Sequence, residues 1–65
     1  MMKKNIEDEI NRFESFRFDA SLNRVINLKK SVETDIDEFL AIQYILDTNR
    51  ITHKFEKNFN ITILK

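Results

Sequence analysis

The 65-residue chain contains no cysteine, glycine, proline or tryptophan, and its 11 Lys and Arg side chains balance 11 Asp and Glu. A chain this short forms one domain at most, 1–65, and hides only about 60% of the surface its unfolded form exposes, so packing must be efficient or another chain must help. Disulfides and thiolate metal sites are excluded, and His53, the single histidine, has no cluster of carboxylates around it in sequence to complete a metal site.

The expected architecture is all-α: three to four helices, with a C-terminal tail that reads as either helical or extended. Average usage would place about four or five Gly and three Pro in this length. Tight hairpins usually need Gly or Asn at positive φ, so a chain without Gly reads poorly as a multi-stranded sheet. The first helix is expected over about 5–16, where Ile6, Ile10 and Phe13 recur at helical spacing behind an Asn5 cap. A break is expected at Arg17 to Asp19, because Phe16 and Phe18 cannot both lie on that stripe. The second helix, about 20–30, takes Asp19 as N-cap, buries Leu22, Val25 and Ile26, and places Lys29 and Lys30 at its C-terminal dipole.

The third helix, about 35–50, begins at a capping-box-like Thr34-Asp35-Ile36-Asp37. Ile36, Phe39, Leu40, Ile42, Tyr44, Ile45 and Leu46 cover most of its circumference, the mark of a central element buried on several sides. Residues 51–64 read two ways. Ile51, Phe55 and Phe59 keep helical spacing, whereas Phe59, Ile61 and Ile63 alternate like a strand, so a helix to about Lys57 followed by an extended end is expected.

Catalysis has no constellation to rest on. There is no P-loop, no glycine-rich dinucleotide turn and no Cys nucleophile, and Ser15, Ser21 and Ser31 read as cap or turn serines. Asp35, Asp37 and Glu38 lack the spacing and turn glycine of a calcium loop and suit the dipole at a helix start instead. The expectation is a non-enzymatic protein with no cofactor and no metal. The six phenylalanines lie on apolar stripes and read as core.

Charge is neutral overall and uneven along the chain. Ser31 to Leu46 holds Glu33, Asp35, Asp37 and Glu38 with no Lys or Arg; Arg12, Arg17, Arg24, Lys29 and Lys30 precede it, and Arg50, Lys54 and Lys57 follow. Such a chain can meet a cationic protein patch with one face and phosphate with another, although solvated helix faces give the same pattern. The N-terminus lacks the apolar run of a signal peptide, and the longest apolar run, Phe39 to Ile42, is far too short to span a bilayer. A cytoplasmic location without membrane contact is expected.

Leu22-Asn23-Arg24-Val25-Ile26, then Leu40-Ala41 through Tyr44 to Arg50, then Lys54-Phe55 and the end Asn60-Ile61-Thr62-Ile63-Leu64-Lys65 together resemble the haemolysin expression-modulating family, Hha and YmoA. The resemblance covers most of the chain, with a short insertion around 31–39 and a deletion near Thr52. It implies a small all-helical nucleoid-associated protein that modulates gene expression by binding the N-terminal dimerisation domain of a histone-like nucleoid-structuring protein. DNA is then met only indirectly, through that complex. The family's acidic contact corresponds to Thr48, with Asp47 one residue earlier; Asp35, Asp37 and Glu38 would extend the acidic partner-binding surface. Its basic, DNA-proximal residues correspond to Arg12, Arg24 and Lys30. A cysteine of the family falls on Phe16, its tail proline on Asn60 and its tail tryptophan on Leu64.

Two other readings stand beside this one. In a ribbon-helix-helix DNA-binding dimer, Ser15 to Asp19 would form an intermolecular strand displaying Ser15 and Arg17, with helices over 22–31 and 35–47. A phage- or plasmid-encoded inhibitor of a host protein would use the acidic middle instead. A homodimer is compatible with each, since the third helix is apolar enough to pair with itself.

Overall fold

The computed structural model describes residues 2–64. In chain order these form α1 (Lys4–Ile10), β1 (Phe16–Asp19), β2 (Arg24–Asn27), α2 (Ile36–Thr48), β3 (His53–Phe55) and β4 (Ile61–Ile63), with 3-10 turns at Ser31–Glu33 and Lys57–Phe59. The expected all-α fold is corrected: the four strands make one antiparallel sheet in the order β1-β2-β4-β3. Helix 20–30 is replaced by a turn and β2, and helix 51–57 by β3. Helix 5–16 stops at Ile10, and helix 35–50 is trimmed to Ile36–Thr48.

The first hairpin shows why a real cap signal led to the wrong element. The Asp19 carboxylate does accept from the N–H groups of Ser21 (3.0 Å) and Leu22 (3.2 Å), as a helix cap would, and also from the Ser21 hydroxyl (2.6 Å). The chain then closes a turn, Asn23 N–H to Ala20 C=O, with Asn23 at φ 52°, and leaves as a strand. Asn tolerates this left-handed backbone better than any other residue the chain has to offer. Val25 and Ile26, both β-branched, then favour the pleated conformation. The pairing Phe16↔Asn27, Arg17↔Ile26, Phe18↔Val25 and Asp19↔Arg24 follows. Phe16 and Phe18, which no single helical stripe accommodates, fall on the same face of a strand.

These contacts hold the Asp19 carboxyl below the usual carboxylate range, the Ser21 hydroxyl contributing most. A lowered folded-state pKa contributes stability above the unfolded value that is lost as pH falls through the folded one. We expect the amide resonances of Ser21 and Leu22 to titrate together in that acidic window. Asp19→Asn should abolish the step while leaving the sheet intact.

The second hairpin closes through Asn58 and Phe59, at φ 62° and 63°, inside a Lys57–Asn60 turn whose Asn60 N–H donates to Lys57 C=O. Two consecutive left-handed residues are what a type I′ hairpin turn requires. Asn58 supplies the first readily; Phe59 holds the second while its ring packs edge-on against Phe39 at 5.2 Å. The absence of glycine therefore did not bar a sheet, because Asn23, Asn58 and Phe59 took the positive-φ positions of the two hairpins. β3 and β4 pair as His53↔Ile63, Lys54↔Thr62 and Phe55↔Ile61, and β4 joins the first hairpin through Val25↔Ile61 and Arg24↔Thr62. The strand at 16–19 thus pairs within its own chain, and the ribbon-helix-helix arrangement is not formed.

One sheet face carries Phe16, Phe18, Val25, Ile61 and Ile63 into a single cluster with Met2, Ile6 and Ile10 from the N-terminal segment and Ile42 and Leu46 from α2. The other face displays Arg17, Ile26, Arg24, Thr62 and Lys54, so the domain has two layers. α2 is capped by Asp35 rather than Thr34: the Asp35 carboxylate accepts from Glu38 N–H at 3.1 Å. The Thr34 hydroxyl instead accepts from the Asn27 amide at 2.9 Å.

Candidate functional site

α2 was expected to be buried on several sides, and it is buried on one. Ile42 and Leu46 are fully enclosed, with Phe39 and Ile45 packed at their margins. Ile36, Leu40 and Tyr44, each one turn from the next, are 47%, 53% and 70% exposed. The reason is geometric. A helix in a two-layer domain meets one sheet face and buries a stripe, and nothing among the described residues covers the far side.

The acidic residues sort into two groups. Asp35 serves as the helix cap, and Glu38 reaches back to the segment before β1, accepting from Ser15 N–H (3.0 Å) and Glu14 N–H (3.3 Å). Both carboxylates thus support the fold. Asp37 and Asp47 are exposed, and at 3.6 residues per turn they fall on either side of the Leu40–Tyr44 line. Asp47 Oδ1 lies 3.7 Å from His53 Nε2. The Thr48 hydroxyl donates to Tyr44 C=O at 2.9 Å, occupying its proton within the last turn. Of the five residues expected to bind a partner, Asp37, Asp47 and Thr48 therefore share one face with the exposed apolar stripe.

The three basic residues expected near DNA are not brought together. Arg12 lines a cleft with Glu9, Phe13 and Ile45, whereas Lys30 lines another with Asn27, Ser31 and Asn58. Arg24 lies on the outer sheet face, its Nε donating to the Thr62 hydroxyl at 3.3 Å. Among the described residues no group of His, Asp and Glu is placed to hold a metal ion, and no helix is long and apolar enough to cross a membrane.

Ile36, Leu40 and Tyr44 were not among the candidate site residues because their period is that of a core stripe. The available signal was excess: α2 carries more apolar residues around its circumference than one sheet layer can cover. Comparison with family profiles, with curated proteins and with solved structures returned no match.

Proposed function

We propose that this protein is a protein-binding module whose recognition element is the outer face of α2. The observation that carries the reading is the uncovered Ile36–Leu40–Tyr44 stripe flanked by Asp37 and Asp47. An apolar stripe at i, i+4 and i+8 suits a hydrophobic groove, and flanking carboxylates favour a groove with a cationic rim. Tyr44, a large amphipathic ring with little conformational entropy to lose, is the natural anchor.

The Hha and YmoA resemblance supplies a specific partner to test: the N-terminal dimerisation domain of a nucleoid-structuring protein, whose silencing of target genes this chain would then adjust. The stretch Leu40 to Arg50 overlaps α2 and supports that choice. The block Leu22 to Ile26 runs through a turn and a strand, so the likeness bears on α2 rather than on the fold.

Calorimetric titration with that domain at low and moderate salt tests both levels. The expected result is binding that weakens with salt and with Asp47→Lys, and that falls roughly tenfold or more in Tyr44→Ala, with circular dichroism unchanged. No heat at either salt would remove the nucleoid partner. Binding unaffected by both substitutions would remove α2 as the site.

A further inference from the structure

The two edges of the sheet are finished differently. On β1, the outward groups belong to Phe16 and Phe18, because Ser15 C=O accepts from Leu28 N–H and sets the alternation of the β1–β2 ladder. Side chains occupy two of the four outward groups on that edge: Asn11 Oδ1 accepts from Phe18 N–H at 2.8 Å, and the Arg17 guanidinium donates to Phe16 C=O at 2.6 Å and also to Phe13 C=O. β3 is the opposite edge. Leu64 N–H donates to Thr52 C=O and Glu56 N–H to Asn60 C=O, which leaves the N–H and C=O of His53 and Phe55 pointing away from β4. No hydrogen bond among the described residues closes them. Phe55 is 48% exposed on this edge, beside an open cleft of about 350 Å³ lined by Phe39, Phe55 and Phe59.

We propose that the β3 edge is a self-association surface, and that a second copy of this chain pairs with it antiparallel about a two-fold axis at Phe55, giving a continuous eight-stranded sheet. The local sequence is self-complementary in that register. With Phe55 opposite Phe55 of the second copy, the two residues exchange both N–H···O=C bonds. Lys54 then stands opposite Glu56 of the second copy, and Glu56 opposite its Lys54, so each side gains an opposite-charge cross-strand pair on the outer face. The two Phe55 rings meet on the inner face and cover the Phe39–Phe59 cleft. Shifting the axis to Lys54 would set the two Lys54 ammonium groups against each other, which disfavours it. Glu56 is extended, φ −112° and ψ 179°, so the strand geometry reaches the residue the pairing needs.

Sedimentation equilibrium over micromolar to millimolar concentrations reads the outcome. The expected species is a concentration-dependent dimer of twice the 7.9 kDa chain mass. Lys54→Glu, which sets two carboxylates opposite each other twice, should weaken it roughly tenfold, and Glu56→Lys should do the same. The double swap of Lys54→Glu with Glu56→Lys should restore it. A monomer at every concentration overturns the proposal, as does a dimer indifferent to both single variants. Dissociation by Tyr44→Ala would place self-association on α2 and overturn the edge pairing. The interface is separate from the proposed partner face, so loss of nucleoid-protein binding leaves this prediction standing.

Discussion

Phe16→Ala leaves the domain close to its unfolding midpoint at room temperature. The Phe16 ring is fully buried at the start of β1 and packs against Phe39 with centroids 6.2 Å apart. Truncating a buried Phe costs about 3–5 kcal/mol, counting lost transfer energy and the cavity left behind. A 65-residue domain holds roughly 3–10 kcal/mol in total, so this one substitution removes a large share. The site has little scope to collapse, because Phe39 also supports Phe55 (5.5 Å) and Phe59 (5.2 Å), and Phe59 sits at a left-handed turn position. Urea unfolding followed by circular dichroism checks the result. Phe55→Ala, at a half-exposed ring, should shift the midpoint far less.

Glu38→Ala should cost about 1.5 kcal/mol, a fall in Tm of about 10 °C for a domain of this size. Glu38 ties α2 to the chain just before β1 by accepting from two successive main-chain N–H groups, of Glu14 and Ser15. Hydrogen bonds to a charged group are worth more than neutral ones, and Ser15 is almost wholly buried, so its N–H has little water to fall back on. The Glu14 bond is exposed and longer, which keeps the figure at the lower end. Glu38→Gln retains one acceptor oxygen and should lose less. Ser15→Ala keeps both main-chain bonds and should change Tm little, which separates the backbone role from anything the serine hydroxyl does. Thermal melts of the three variants decide the matter. A Glu38→Ala melt indistinguishable from wild type would mean the bridge contributes nothing.

Both residues show where a one-dimensional reading stops. Phe16 was legible as core, but its partner Phe39 lies in α2, and only the folded chain joins them. Glu38 reads as a surface acid at a helix start, and its position fits dipole compensation. Nothing local reveals that it spans 23 residues to Ser15. The outer face of α2 was half-legible for the same reason: Asp37 stood out by charge and Asp47 through the family resemblance, while Leu40 and Tyr44 were assigned to the core by period.

By itself the sequence determined the elements whose signals are long and internally consistent. α2 was readable from thirteen residues with an acidic first turn, and the extended end at Ile61–Ile63 from strict alternation. The roles of Ile6 and Ile10 as buried residues were equally plain. The tertiary structure decided the segments 20–30 and 51–57, where a few apolar residues fit either a 3.6 or a 2.0 period. Helix hydrogen bonds would have been local. The strand alternative draws on Val25↔Ile61 and Arg24↔Thr62, between residues far apart in the chain. That pairing becomes available only when both hairpins exist, and the asparagine turns that permit them look, in sequence, like breaks between helices. Burial of α2 was decided in the same way: its apolar circumference is local information, but the single sheet layer that covers half of it is not.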